Sequence, residues 1–159
     1  MKKAICSMAA VGAALVLSGA AAPNAQAEGN LGLGVIAGEP TGFSMKLWTS
    51  NRTAFDGAIA WSFDEAMHVH GDYLWHFYDR VSVDEGYLPL YVGFGARAQI
   101  HDAGDDEIGL RIPVGMSYLF EDAPIDLFAE VAPVMNFAPD TNLEAEGGIG
   151  LRYFFGSTR

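Results

Sequence analysis

The feature that most constrains the fold is an alternation of apolar and polar side chains that recurs along most of the chain. In the stretch HVHGDYLWHFY, residues 68–78, the even positions are mostly ionisable and the odd positions are mostly apolar or aromatic. A period of two is typical of a β-strand with one apolar face. Turn-forming residues separate eight such runs, which cover residues 31–38, 43–49, 54–63, 67–78, 88–100, 108–120, 125–137 and 144–155. The alternation therefore predicts an all-β fold of eight antiparallel strands.

The N-terminus has the three parts of a secretory signal peptide. Lys2 and Lys3 form a basic region, residues 9–21 form an apolar run, and residues 25–27 (AQA) form a small-x-small cleavage site. The apolar run is shorter than the roughly 20 residues of a membrane-spanning helix. We therefore expect a cleaved signal peptide over residues 1–27 and one domain over residues 28–159. The single cysteine, Cys6, lies in the predicted signal peptide, so the exported domain has no thiol chemistry.

The charge of the exported domain argues against one class of partner. Removal of residues 1–27 leaves seven basic residues against twenty acidic ones, which is a net charge of −13 with histidine neutral. Binding to nucleic acid requires a basic surface that neutralises phosphates. The composition therefore predicts no nucleic-acid partner.

The two faces of the predicted strands decide between two architectures. One face carries only apolar and aromatic side chains, and the other carries charges and glycines. A soluble barrel would have to pack the apolar face inside, although eight strands enclose only a packed core or one small ligand. A transmembrane barrel turns this face to lipid and leaves no strand edge unpaired. The sequence favours an eight-stranded antiparallel up-and-down transmembrane β-barrel, with a soluble periplasmic barrel that binds a small apolar ligand as an alternative.

The aromatic residues of the apolar face are expected to form two belts at the membrane interfaces. If both termini are periplasmic, these residues fall near the two ends of the strands, where interfacial aromatics concentrate in membrane barrels. The predicted periplasmic belt contains Trp75, Phe77, Tyr118, Phe120, Tyr153 and Phe155, and the predicted outer belt contains Phe43, Trp61, Phe63 and Phe137.

The polar face predicts an ion-paired lumen. Unpaired charges in a narrow lumen are costly, and arginine binds carboxylates in a bidentate manner. We expect the charges to pair across strands and to fill the interior, since open diffusive pores need about 16 strands. The predicted network contains the bases Lys46, Arg97, Arg111 and Arg152 and the acids Asp56, Asp72, Asp126, Glu130, Glu144 and Glu146.

The inward-facing histidines have two interpretations. His68, His70, Asp72 and His76 share one strand face, and consecutive inner residues are about 6.8 Å apart. Two histidines at this spacing can bind zinc, with Asp72 or Glu130 completing the site. The same side chains can also fill the lumen through hydrogen bonds without any metal. The second interpretation is preferred here, and no cofactor is predicted.

A lipid-modifying enzyme is the alternative function. Acyl hydrolysis or transfer requires a hydroxyl nucleophile beside a base. Ser44, Ser62 and Ser117 are predicted to point inward like the histidines. However, no serine and histidine have a sequence spacing that indicates a catalytic pair. No catalytic residue is assigned.

Several segments together resemble a family of small bacterial outer-membrane β-barrels of the OmpX/OmpA-like type. The similar segments are GEPTGFSMKLW, AFDGAIAWSF, HVHGDYLWH, LPLYVGFGARAQI, GLRIPVGMSYLFEDAPIDLFAEVAPVM and GGIGLRYFF, of which GEPTG and LFEDAPIDLFAEVAP are the most specific. The resemblance covers nearly all of residues 28–159 and implies an eight-stranded barrel in the outer membrane. It supplies no agreed catalytic or binding residues.

These observations predict a structural or interaction protein of the outer membrane. Its expected partners are outer-membrane lipid and the assembly machinery, which reads an aromatic final strand such as EAEGGIGLRYFF, although GSTR follows the last phenylalanine here. A further partner at the cell surface or in the periplasm is left open.

Overall fold

In a computed structural model of the protein, residues 30–61, 66–102 and 104–156 can be described, and the predicted signal peptide (1–27) and Phe63 lie outside these ranges. The described residues form nine β-strands: β1 (Leu31–Glu39), β2 (Thr41–Trp48), β3 (Thr53–Trp61), β4 (Ala66–Phe77), β5 (Leu90–His101), β6 (Glu107–Arg111), β7 (Val114–Leu119), β8 (Ile125–Ala138) and β9 (Asn142–Phe155). This part of the chain contains no helix that is long and apolar enough to cross a membrane.

The strands close into a ring in which every pair is antiparallel. Each strand from β1 to β5 pairs with the next one along the chain, β8 pairs with β9, and β9 returns to β1. Closure leaves the sheet without a free edge. We call the end where Leu31 pairs with Phe155 the terminal end, and the opposite end, where β1 leads into β2, the distal end. The predicted all-β antiparallel barrel is confirmed.

The ring differs from the prediction in the number of strands. The run predicted over residues 108–120 is divided into β6 and β7, and both segments pair with β5 on one side and with β8 on the other. The division falls at Pro113, which has no N–H to donate to a neighbouring strand. The Pro113 carbonyl still accepts a hydrogen bond from Gly93 N at 2.8 Å. Nine strand segments therefore occupy eight positions around the ring.

The polarity of the barrel is the reverse of that of a soluble protein. Large apolar side chains project outward along all nine strands, whereas charged side chains are buried inside the ring, which we call the lumen. Trp61 is 57% exposed and Arg97 is 4% exposed. The strand pleat produces this separation, because successive side chains point to opposite faces.

A few aromatic rings also lie inside, and glycines on the facing strands make room for them. A Cβ atom on Gly150 would lie 2.3 Å from the Phe128 ring, and one on Gly115 would lie 2.5 Å from the Tyr91 ring. Both distances are shorter than any tolerated contact, so these two positions require glycine. The narrow lumen therefore holds both rings and charges.

The lumen as the candidate functional site

The lumen contains two groups of ion pairs at different heights. Near the terminal end, Lys46 Nζ lies 3.2 Å from Asp126 Oδ2, and Arg152 lies 3.4 Å from the same oxygen. Arg152 also bonds Asp56 at 2.6 Å. We call these four residues the terminal network. Its two positive charges face two negative charges, so the buried charges of this network balance.

The second group begins at Arg111, whose guanidinium contacts three carboxylates. The distances are 3.1 Å to Asp72, 2.5 Å to Glu130 and 3.1 Å to Glu146. The Tyr91 hydroxyl donates a hydrogen bond to Glu130 at 2.9 Å. These contacts join β4, β5, β6, β8 and β9 across the lumen.

Arg97 completes the second group nearer the distal end. It lies 3.1 Å from Glu107 and 2.5 Å from Glu144, and it also pairs with Glu146. Besides these three carboxylates, Arg97 also donates a hydrogen bond to the Asn136 side-chain oxygen, at 2.9 Å. We call Arg97, Arg111 and their five carboxylates, at Asp72, Glu107, Glu130, Glu144 and Glu146, the distal network. Two guanidiniums face five carboxylates there, so the excess of negative charge is concentrated in this half of the lumen.

All ten residues of the predicted ionic network lie on the inner side of the ring. Nine of them are buried, and Glu144 is partly exposed at the distal end. Glu107 belongs to the network but was absent from the prediction, which began this strand at residue 108. Glu107 lies two residues before Gly109 and four residues before Arg111. The strand alternation therefore places it on the same inner face, and this is the sequence signal that identifies it.

An aromatic cluster occupies the lumen near the terminal end. The His76 ring lies 4.3 Å from the Trp48 ring and 5.3 Å from the Tyr91 ring, measured between centroids. Lys46 Nζ lies 4.5 Å from the Trp48 centroid, within the range of a cation–π contact. Trp48 and Tyr91 were not predicted to point inward. His76 was grouped with His68 and His70, but it lies in this cluster instead.

The other two histidines lie together in the distal half. His68 Nε2 is 3.1 Å from His70 Nδ1, and His68 Nδ1 is 3.6 Å from Glu146 Oε1. One ligand atom from each of these three buried residues lies within 4.8 Å of the other two. Asp72 lies behind His70, with its Oδ2 atom 3.9 Å from His70 Nε2. The acid closest to the histidine pair is thus Glu146, rather than the predicted Asp72 or Glu130.

A cavity of about 170 Å³ adjoins the histidine pair on the distal side. Its walls include His68, Glu146, Arg97, Gln99 and Glu144. The side chains of Glu107 and Glu144 are 26% and 37% exposed, so water reaches this end of the lumen. Most of the residues that line the cavity carry charged or polar side chains, which suits it to water and small ions.

The serines considered for an enzyme lie beside cations. Ser44 Oγ accepts a hydrogen bond from Arg152 at 2.8 Å, and Ser117 Oγ lies 3.5 Å from Lys46 Nζ. Ser62 lies outside the described residues. Within the described ranges no serine has a histidine as its hydrogen-bond partner, so the lumen shows no nucleophile activated in the way that acyl transfer requires.

Most of the outward aromatics lie near the two ends of the ring, whereas Phe94, which pairs with Tyr73, lies farther from them. At the terminal end, Tyr118 packs on Phe120 and Tyr153 on Phe155, with centroids 4.7 and 5.1 Å apart. Eight of the nine described aromatics in the two predicted belts are exposed, and the ninth, Tyr118, is half-buried. The terminal group is Trp75, Phe77, Tyr118, Phe120, Tyr153 and Phe155, and the distal group is Phe43, Trp61 and Phe137.

The comparisons with known proteins bear on the fold. No model of a known protein family matches the sequence, and no curated protein matches it. Among solved structures, the chain is similar to the N-terminal β-barrel domain of Pseudomonas aeruginosa OprF, with a TM-score of 0.59 and 15% sequence identity. The match covers 83% of this chain and 100% of that domain. At this identity the similarity concerns the fold alone, and the fold it shows is a barrel of the OprF kind.

Proposed function

We propose that the protein is an outer-membrane β-barrel of a structural or interaction type. Its lumen is filled by ion pairs and aromatic rings. The observation that carries this proposal is the reversed polarity of the ring. Its outward face is apolar along every strand, while the charges are turned to the inside. Such a surface is stable against lipid chains and would aggregate in water. The closed ring also leaves no backbone group unpaired at a sheet edge, as lipid requires.

The positions of the aromatic residues support a membrane-spanning orientation. The terminal and distal aromatic groups flank a band of mostly aliphatic side chains, which is the arrangement of the two interfaces and the hydrocarbon core. An even number of positions around the ring places both chain ends on one side. We assign that side to the periplasm, since an exported chain enters the outer membrane from there.

The side chains inside the lumen support a barrel without an open pore. The terminal network lies beside the Trp48, His76 and Tyr91 rings, so charged and aromatic side chains occupy the terminal half together. Eight positions enclose an interior that side chains can fill. We therefore assign the protein no diffusive transport.

The two alternative functions receive less support. A lipid-modifying enzyme needs an activated nucleophile, whereas Ser44 and Ser117 contact cations. A soluble carrier of an apolar ligand needs an apolar cavity, whereas the 170 Å³ cavity is lined by charged and polar groups. No specific observation favours either alternative.

The proposed partners follow from the surface and from the final strand. Outer-membrane lipid covers the apolar outer face. The assembly machinery acts on β9, which ends on Tyr153, Phe154 and Phe155. The interaction role would include a partner that binds the connecting segments at either end of the barrel. The acidic composition continues to argue against nucleic acid.

Fractionation of the cell envelope tests the proposal. We expect the protein in the outer-membrane fraction, released by detergent and retained during washes with high salt. On a gel, the unheated protein should migrate ahead of the boiled protein, because a closed barrel resists the detergent. A sample unfolded in urea before loading is the control and should migrate like the boiled protein. Release in soluble form by osmotic shock, without detergent, would contradict the proposal.

A further inference from the structure

We propose that the distal half of the lumen binds a divalent transition-metal ion through His68, His70 and Glu146. The closest approach among these groups is between His68 Nε2 and His70 Nδ1, at 3.1 Å. Two nitrogen ligands on a tetrahedral zinc ion are about 3.3 Å apart, given Zn–N bonds of about 2.0–2.1 Å. The spacing of these two nitrogens is therefore that of two ligands on one ion.

Glu146 supplies the third ligand from the opposite wall. The ring order places β9 four positions from β4 in both directions, so Glu146 faces the two histidines across the lumen. A ligand atom of each residue lies within 4.8 Å of the other two, and all three residues are buried. A water molecule from the adjoining 170 Å³ cavity can take a fourth position. Three protein ligands and one open position are common in zinc sites.

The charge balance of the distal network favours a cation. Arg97 and Arg111 both form an ion pair with Glu146, but each of them also contacts other carboxylates. Arg97 also contacts Glu107 and Glu144, and Arg111 also contacts Asp72 and Glu130. When Glu146 turns an oxygen to a metal ion, each guanidinium keeps two carboxylates. A divalent ion offsets most of the negative excess that two cations and five carboxylates leave.

A carboxylate also lies behind one of the proposed histidine ligands. A histidine ligand usually directs its second nitrogen to a carboxylate or carbonyl, which fixes the ring. Asp72 Oδ2 lies 3.9 Å from His70 Nε2, on the side away from His68. Imidazole ligands select zinc, copper or nickel over magnesium and calcium, which prefer all-oxygen sites. The site would link β4 to β9 and so brace the barrel across its width.

Calorimetric titration with Zn²⁺ tests the site in the refolded domain, residues 28–159, in detergent micelles. We expect one ion per barrel, and we expect His68→Gln and Glu146→Gln each to weaken binding by at least about tenfold, the lower limit for losing even an outer-shell partner. His76→Gln is the matched control, because His76 is an equally buried lumen histidine at the other end. This variant should bind Zn²⁺ like the wild type. Equal affinity in all variants, or no binding by the wild type, would overturn the proposal.

A second measurement covers the case in which a variant fails to fold. The imidazole ¹⁵N signals of the folded wild type can be followed while Zn²⁺ is added. The signals of His68 and His70 should shift, and those of His76 and of His101, the last residue of β5, should stay in place. If the signals of His68 and His70 do not move, the site does not exist as described.

Discussion

Replacement of Arg111 by Met is expected to destabilise the barrel by about 3–5 kcal/mol, the usual cost of leaving buried charges without their partner. Arg111 is buried and contacts Asp72, Glu130 and Glu146. Its loss leaves Asp72 and Glu130 without an arginine partner in a lumen that already has excess negative charge, whereas Glu146 keeps Arg97. The free energy of unfolding can be measured by urea titration of the barrel refolded in lipid vesicles.

Arg52→Met is the matched control for this substitution. Arg52 pairs with Asp79 at 3.5 Å, but the two side chains are 63% and 80% exposed. An exposed pair of this kind contributes at most about 1 kcal/mol. Adding Glu130→Gln to Arg111→Met should recover part of the lost stability, because one uncompensated charge is removed. If the two arginine substitutions cost the same, the ion pairs of the lumen do not hold the barrel together.

Replacement of Val131 by Arg is expected to cost about 2–4 kcal/mol, the penalty for an arginine at the bilayer midplane on the lipid face of a barrel. Val131 lies in the middle of β8 and is 62% exposed on the outer face. In water such a site would accept a charged side chain readily. The measurement is the same urea titration in lipid vesicles.

Val81→Arg is the control, because Val81 lies in the connection between β4 and β5 and is 37% exposed. A surface substitution there should change stability by less than about 0.5 kcal/mol. Destabilisation at Val131 that is no greater than at Val81 would mean that the outer face does not contact lipid.

The sequence was sufficient to predict the class of fold and the inner position of the charged residues. The reason is geometric: a strand repeats every two residues, so one identified inner residue assigns the face of all the others on that strand. Lys46 and Arg152, for example, follow from the parity of their strands. Parity no longer predicts the structure where the chain leaves the strand geometry, as at Pro113, where one predicted strand is divided into β6 and β7.

Several inner residues were missed although the same rule identifies them. Trp48 lies two residues after Lys46, and Tyr91 lies six residues before Arg97, so both share the inner face. Neither was assigned a face, because the aromatic residues considered were those of the apolar face. The partners across the lumen could not be predicted at all, because they depend on the stagger between distant strands. That stagger brings Glu146 to His68 and places His76 with Trp48.

Quenching of tryptophan fluorescence by brominated lipids tests the central claim that the apolar face contacts lipid and the polar face surrounds the lumen. The chain has three tryptophans, and the structure places Trp61 and Trp75 outside and Trp48 inside. Three variants that each retain one tryptophan, with the others changed to Phe, can be refolded in vesicles whose lipids carry bromine in the upper part of their acyl chains. The account predicts strong quenching of Trp61 and Trp75 and little quenching of Trp48. Quenching of Trp48 as strong as that of the other two, or protection of Trp61 and Trp75, would contradict it.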